Sequence, residues 1–559
     1  MQDQVLLYGT GNSRFFFKKN AVEDKNLGFF IKSIMTRCIH CTRCIRFSKE
    51  IVGFKILGAL NRGQKTEIGP YISSLFLSNL SGNIIDLCPV GALTSRLYAF
   101  KGRPWELKIN ESIDLTDSNS SSITIAVKEL NIVRILPKKN KILNNCIISD
   151  KARFSFDAVT NLRLLESFWK NKIWNPLNFQ TLFSNLMLEL KFLYNLFLIP
   201  EDLDYQNLLC LIHLEKISNN KIKLFSINIS KLAITNFYLT NQYSCISKFE
   251  QGFKYCYLLS SNLQFENIIL NTKIRTKYFQ TNIPLFSAGF SYSSQIPNFF
   301  ITLNLNSLFK FFESKNFFAL YFFKKFNQFN SWFILGSSLN KRLLNFDTFL
   351  FFKKMFPQIH VLNLNKFANS ESFVFLNISF INTNILEKSK NIFAWNLEET
   401  LYLHELFLFF KKNIYWVNSH SSQLFKRTTC ILPTLTFFEK DGLFLNFEGK
   451  PQKAFKSIVN LNKNIISLDF FLFFFRKEGT HKKQPAFFYF FEMCDQLLYI
   501  KMGEFYFSPI ICLDSISTFI KYPLKPSFED FYQTDAFTRN SLNMLKRSKE
   551  LRKVSTNFF

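Results

Sequence analysis

Three cysteines at two-residue intervals, Cys38, Cys41 and Cys44, with a distant Cys88-Pro89, are the residues of this chain whose types and spacing can do chemistry. A cubane iron-sulfur cluster needs one thiolate per iron. Three closely spaced thiols wrap a turn of backbone around three corners, a fourth closes the cage, and proline after it completes the bacterial-ferredoxin pattern. Zinc also takes four cysteines, but its ligands usually arrive as two separated Cys-x2-4-Cys pairs. The spacing therefore favours a 4Fe-4S cluster over zinc or unligated cysteines. His40 lies inside the run; with four thiolates supplied, it reads as a neighbour or solvent residue rather than a ligand. Arg37, Arg43, Arg46 and Lys49 would favour the more anionic reduced form of a cluster. Each reads equally well as a solvated helix residue.

The elements that must position these cysteines are short. From Met1 to about Ile109 the sequence is turn-rich with brief helical runs; Ala21-Val-Glu-Asp-Lys25 leads into the cysteine run and Ser81-Gly-Asn83 into Cys88. Residues 110–165 are strand-rich. Ser122-Ile-Thr-Ile-Ala-Val127 alternates polar and apolar, and Asn131-Ile-Val-Arg-Ile-Leu136 ends at Pro137, which predicts two strands joined by a turn. From 166 to 500, apolar strand-like runs alternate with helical ones, as at Leu208–Ile212, Trp332–Leu335 and Phe373–Leu376. That alternation predicts an α/β fold with a largely parallel sheet. Gly336-Ser-Ser338 after an apolar strand is a weak phosphate-turn candidate, because the full dinucleotide fingerprint is missing. Residues 501–559 form a C-terminal extension whose basic run, Lys546 to Lys553, reads as a solvated helix end.

Composition narrows the classes. With 559 residues there is material for two or more domains. Lys and Arg number 69 against 41 Asp and Glu, a net charge of +28. That excess suits nucleic acid, anionic lipid or an acidic partner, yet the basic residues are scattered and no long block forms. Phe occupies 72 positions. The Phe, Lys, Asn and Ile excess is what A- and T-rich codons specify, as in many organelle genomes, which weakens functional readings of the charge. No apolar run reaches 18 residues, so no span is expected. The first twenty residues carry neither a signal peptide nor a transit peptide, as synthesis inside the working compartment would explain. The other seven of the eleven cysteines, Cys146, Cys210, Cys245, Cys256, Cys430, Cys494 and Cys512, lack regular spacing and read as buried free thiols in a reducing compartment.

Tyr8-Gly9, Ser13-Arg14-Phe15, Ala21–Asn26, Ile34–Cys38, Leu80–Asp86 and Cys88–Ser95 closely resemble one family, the 75 kDa iron-sulfur subunit of respiratory complex I. The resemblance continues through Arg103-Pro-Trp105, fades across 170–320, and returns at Ile334–Ser338, Ile431–Gln452 and the C-terminal stretch from Phe528. It implies that Cys38, Cys41, Cys44 and Cys88 ligate one 4Fe-4S cluster of an electron relay. It implies a cluster domain at 1–109, a small β-rich domain without a cluster at 110–165, and a molybdopterin-oxidoreductase-like α/β domain at 166–500 without molybdopterin. In some relatives the small domain holds another four-cysteine cluster; here Cys146 stands alone and Ser149 occupies the last ligand position, as in mitochondrial members.

The resemblance further implies a subunit of a proton-translocating NADH:ubiquinone oxidoreductase, with no complete active site on this chain. It would lie on the matrix side of the mitochondrial inner membrane and be organelle-encoded. Its partners would be the flavin and iron-sulfur subunits of the peripheral arm, with no nucleic acid and no direct membrane span. The family's front portion, with a 2Fe-2S cluster and a one-histidine, three-cysteine 4Fe-4S cluster, lies upstream of the match, so a separate polypeptide carrying it is expected. Two rivals differ in class. A molybdopterin-dependent oxidoreductase such as a formate dehydrogenase relative predicts molybdenum, with Cys210, Cys245 or Cys256 as default ligands. A basic zinc-binding nucleic-acid protein predicts zinc and steeply salt-dependent RNA binding.

Overall fold

The computed structural model describes residues 2–12, 14–16, 22–70, 75–171, 173–176, 195–217, 222–226, 255–289, 296–303, 307, 331–336, 359–364, 367–370, 372, 389–395, 413–421, 428–459 and 530–556. Two compact units divide the chain, Met1–Ala99 and Phe100–Phe559. Among the described residues no helix is long and apolar enough to cross a membrane. Cys245, Cys494, Cys512, Ser337-Ser338 and Phe373–Leu376 lie outside the described residues.

The first unit is built from short pieces: α1 (Gln2–Tyr8), β1 (Ile31–Ser33), α2 (Arg43–Arg46), β2 (Leu57–Leu60), β3 (Glu67–Pro70), α3 (Asn83–Leu87) and β4 (Leu93–Ser95). α2 runs on into a π-helical turn, Phe47–Val52, that stops at Gly53 with φ of 93°, a left-handed value that glycine adopts without a Cβ penalty. Two antiparallel pairs, β1 with β4 and β2 with β3, are its sheets. Its small core includes Phe30, Met35, Phe47, Phe76, Leu80, Ile84 and Ala92.

The second unit opens with an antiparallel sheet of β5 (Lys108–Ile113), β6 (Ser122–Lys128) and β7 (Asn131–Pro137). The alternation read from the sequence is borne out: Ile123, Ile125 and Val127 enter a core with Ile132, Ile135, Phe438 and Phe537. α4 (Asp150–Phe154) follows, then β8 (Phe168–Asn171) and β9 (Ile173–Pro176). The large α/β portion adds β10 (Asn195–Ile199), α5 (Tyr205–Ile217), β11 (Ile222–Ser226), β12 (Tyr255–Leu259), α6 (Ile268–Thr281), β13 (Leu285–Ala288), β14 (Asn298–Thr302), β15 (Ser331–Leu335), β16 (Ile359–Asn363), β17 (Asn391–Trp395), β18 (Asn413–Asn418) and β19 (Cys430–Pro433). A hairpin of β20 (Gly442–Leu445) and β21 (Pro451–Ala454) comes next, and α7 (Ala536–Arg539) and α8 (Leu542–Thr556) close the chain.

One sheet has the order β14-β13-β12-β15-β16 and is parallel throughout. The other runs β11-β10-β17-β18-β19-β8-β9, parallel as far as β19 and antiparallel at β8 and β9. The abundant phenylalanines find a structural use here. Phe197, Phe393 and Tyr415 are in register on adjacent strands and stack at 4.7 and 4.5 Å. Tyr257 stacks likewise on Phe286 at 5.0 Å and on Phe333 at 4.7 Å. Such cross-strand rings add to area burial and fix register.

One sequence expectation fails. Leu208–Ile212 is not strand-like but lies inside α5. A five-residue apolar run fits a buried helix as well as a strand. Asp204 decides between them: its carboxylate accepts from the Asn207 amide at 3.2 Å, and its carbonyl takes the first helical bond from Leu208 at 3.1 Å, the arrangement of an N-cap.

Candidate metal centre

The cysteine run and Cys88 meet because β1 and β4 pair. Ser33, the last residue of β1, faces Leu93, the first of β4. The chain leaving β1 and the chain entering β4 are therefore adjacent. Ile34 donates to the Ala92 carbonyl at 2.7 Å, and the Arg37 guanidinium reaches the Gly91 carbonyl at 3.5 Å. Gly91 has φ of 68°, which lets the chain turn from Cys88-Pro89 into β4.

Local conformation then sets each thiol. A 3-10 turn, Met35–Arg37, ends on Cys38; α2 carries Cys44 inside its single turn; α3 ends on Cys88. Between them His40 and Thr42 take left-handed φ values of 55° and 58°. That conformation is uncommon outside glycine and an outlier for a β-branched residue, and it coils the run tightly around its thiols. The His40 amide donates to Cys38 Sγ at 3.4 Å, a bond that also stabilises a reduced cluster when made to a ligating sulfur.

The four thiols differ in exposure: Cys44 is buried, Cys38 and Cys88 are half-buried, and Cys41 is exposed. Burial pushes the Cys44 thiol up to about 11, the Ile45 amide pulls it back, and the neighbouring thiols of Cys38, Cys41 and Cys88 raise it further. A buried thiol in this state ionises when a metal takes the place of its proton. Among the described residues, no three His, Cys, Asp or Glu side chains converge as ligands of a single metal ion. A zinc ion takes four thiolates on one metal; a cubane sets each thiolate on a different iron. The donor set, all soft sulfur with no carboxylate, fits an iron-sulfur cluster.

The other expected residues sort themselves. His40 turns its ring to the Thr66 carbonyl, Nε2 at 2.8 Å. Arg46 is exposed and pairs with Glu50 at 3.4 Å, while Arg43 and Lys49 are also exposed. Sequence reasoning did not single out the residues that brace the loop. Asp24 Oδ1 accepts from the Met35 amide at 2.7 Å, Asn26 accepts from the Gly28 amide at 3.1 Å, and Arg96 Nε donates to the Ile31 carbonyl at 3.0 Å. An acid and an Asn just upstream of a turn were the available signal.

In the second unit Cys146 is exposed, and Ser149 caps α4, its side chain accepting from the Ala152 amide at 3.1 Å. A cavity of about 60 Å³ sits at the carboxyl ends of β10, β18 and β19, with Thr116, Asp202, Asn418, Thr436 and Phe537 on its wall. Of the default molybdenum ligands, Cys256 is wholly buried in β12 and burial raises its thiol; Cys210 lies in α5.

Three family models match. Residues 28–94 fit the NADH-quinone oxidoreductase subunit 3 ferredoxin-like domain, which spans all four cysteines. Residues 107–157 fit the NADH-ubiquinone oxidoreductase NDSU1/NuoG-like 4Fe-4S domain, in which this chain has Cys146 alone. Residues 235–467 fit molybdopterin oxidoreductase. The NADH-ubiquinone oxidoreductase 75 kDa subunit of Acanthamoeba castellanii is 34% identical over 82% of this chain and 68% of its own length. This chain belongs to the 75 kDa subunit family of NADH-ubiquinone oxidoreductase. The 75 kDa subunit of Reclinomonas americana is 38% identical over 52% of this chain. The mitochondrial NADH dehydrogenase [ubiquinone] iron-sulfur protein 1 of Solanum tuberosum is 50% identical over 29% of it. The matches span 44% of the Reclinomonas and 22% of the Solanum protein. The fold class read from the sequence, small iron-sulfur and β domains followed by a molybdopterin-oxidoreductase-like α/β portion, agrees with these models.

Proposed function

We propose that this chain is an electron-transfer subunit in the peripheral arm of mitochondrial complex I, carrying electrons from NADH toward ubiquinone by way of one 4Fe-4S cluster held by Cys38, Cys41, Cys44 and Cys88. The observation that carries the reading is the β1–β4 pair, which sets the chain of Cys38, Cys41 and Cys44 beside the chain of Cys88, in a member of the 75 kDa family. When bound, the cluster supplies reversible one-electron chemistry.

The chain's own residues do the rest. The coiled run holds three thiols, α3 delivers the fourth, the His40 amide and nearby arginines favour the reduced charge, and buried Met35 and Phe47 exclude water. We place the chain on the matrix side of the inner membrane, organelle-encoded, against flavin and iron-sulfur subunits. A single cluster, with none in 110–165 and no molybdopterin, suits the lone Cys146 and the capping role of Ser149. The four-part division at 109, 165 and 500 accompanies this reading.

The test is low-temperature EPR of the purified, dithionite-reduced complex containing either the natural chain or Cys41→Ser. The expected result is one 4Fe-4S signal that the substitution removes or alters. A spectrum identical with and without Cys41 overturns the assignment.

A further inference from the structure

Where an open parallel sheet reverses the order in which its strands are laid down, the connections part and leave a crevice at the carboxyl ends of the strands. The seven-stranded sheet has such a point. From β10 the chain goes outward to β11, while the later strands β17, β18 and β19 lie on the other side of β10. The cavity of about 60 Å³ lies there: Pro200 and Asp202 follow β10, Asn418 ends β18, and Leu435, Thr436 and Phe437 follow β19. Thr116 and Asp535 help to close it. One water needs roughly 10–15 Å³, so the space suits a small ion with part of its hydration.

Two oxygens on this wall are not served by the protein. Asp535 is 9% exposed and Thr436 3%, yet Asp535 Oδ1 and Thr436 Oγ1 have no hydrogen-bond partner among the described residues. Lys151, whose charge acts on Asp535, spends its three N–H groups on Asp117 at 3.1 Å, the Thr116 carbonyl at 2.8 Å and Thr534 Oγ1 at 3.3 Å. Lys440 is also on the wall and stands 3.7 Å from Asp204. Asp202 adds a second carboxylate to the wall. His420, next to the wall residue Ser419, is neutral at physiological pH because burial lowers it to about 4. A buried carboxylate oxygen is costly until a positive charge or a donor meets it.

Among the described residues no three His, Cys, Asp or Glu side chains converge on one metal ion. Calcium and magnesium are held chiefly by carboxylates and waters. A wall with few carboxylates and several neutral oxygens instead suits a singly charged ion, whose hydration shell oxygen dipoles can replace.

We propose that this cavity binds one alkali cation, potassium or sodium, with Asp535 and Thr436 as side-chain ligands, and that the ion fastens the C-terminal segment across the carboxyl ends of the sheet. The inference goes beyond the electron-transfer role and does not rest on it.

The experiment compares hydrogen exchange of the intact purified complex in potassium, sodium, magnesium and choline chloride at equal ionic strength. Peptides covering 415–421, 434–440 and 531–541 report on the wall; those of β12 and of residues 83–92 are controls. The expected result is exchange at least about threefold slower on the wall in potassium or sodium than in choline, saturating with ion concentration, and unchanged controls. Thr436→Val should abolish the difference and Thr436→Ser retain it. Identical exchange in all four salts overturns the proposal, since water then fills the cavity. So does a response to magnesium alone, a response spread equally through the controls, or a potassium response that Thr436→Val leaves intact. Should Thr436→Val not assemble, the wild-type salt series and Thr436→Ser still decide between these outcomes.

Discussion

The two units differ in the ionisable groups they withdraw from water. In the second, ions that leave water are matched by protein. Arg163 meets Glu439 at 2.6 Å and the Thr434 carbonyl at 2.8 Å. Lys151 touches Asp117 at 3.1 Å, the Thr116 carbonyl at 2.8 Å and Thr534 Oγ1 at 3.3 Å. Burial alone would lower its pKa, yet Asp117, Asp535 and Asp114 hold it above the usual lysine value. In the first unit the ionisable groups drawn inward are thiols, and burial makes Cys44 harder to ionise. The second unit meets these buried charges with protein groups, whereas on the proposed function the first unit's thiols would be met by an inorganic partner.

Stripping iron from the assembled complex should break that contrast most visibly. Hydrogen exchange is expected to rise at least about tenfold in residues 34–46 and 83–92, while amides of β12 and β17 keep their protection. Equal loosening of both units would mean that the second also depends on the cluster. Next in size is Arg163→Met, which strands the Glu439 carboxylate in the interior and should cost about 3–5 kcal/mol. Urea unfolding of the second unit's signal measures it; a loss under about 1 kcal/mol would show that the pair is not a net support.

Titration sharpens the comparison further. Asp114 is wholly buried, and burial, then the charge of Asp117, raises its carboxyl from 3.8 to about 7. Between those values the folded chain holds a proton that the unfolded chain has lost, so this group's contribution to stability falls as pH rises from about 4 to 7. Asp114→Asn should flatten that slope, read as the difference between two stability-against-pH curves. His420 acts with the other sign. Its Nε2 sits 2.6 Å from the Ala158 carbonyl and burial lowers it from 6.5 to about 4, so its contribution grows as pH rises across that interval.

Two smaller effects close the series. Ser149→Ala removes the cap of α4 and should cost about 1 kcal/mol in thermal melts; Ser149→Cys should bring no second EPR signal. Thr42→Gly relieves a left-handed φ at a β-branched residue, a strain of about 1–3 kcal/mol, partly offset by the extra freedom of the unfolded chain. Slightly slower loss of iron to a chelator is expected, and faster loss would show that the threonine side chain itself supports the site.

What could be read from the sequence was local. The cysteine spacing, the β6–β7 alternation and the parallel α/β pattern each occupy a short window, and each has its structural counterpart. What could not be read depends on distant partners. Nothing near Lys151 announces Asp117, Asp535 and Thr534 together, since the C-terminal segment must fold back to supply two of them. The stacked rings of Phe197, Phe393 and Tyr415 depend on register between strands far apart in the chain. Leu208–Ile212 was ambiguous in itself, and only its capping residue, Asp204, separates helix from strand. The thiols were legible; Asp24, Asn26 and Arg96, which hold their loop in place through backbone groups, were not.

The three-residue ladder between Ile31–Ser33 and Leu93–Ser95 also governs the order of assembly. Cys88 comes 44 positions after Cys44. On the proposed function, a complete cage would require that later stretch to have returned to its partner strand. On the proposed function, that short clasp would be what completes the set of sulfur ligands.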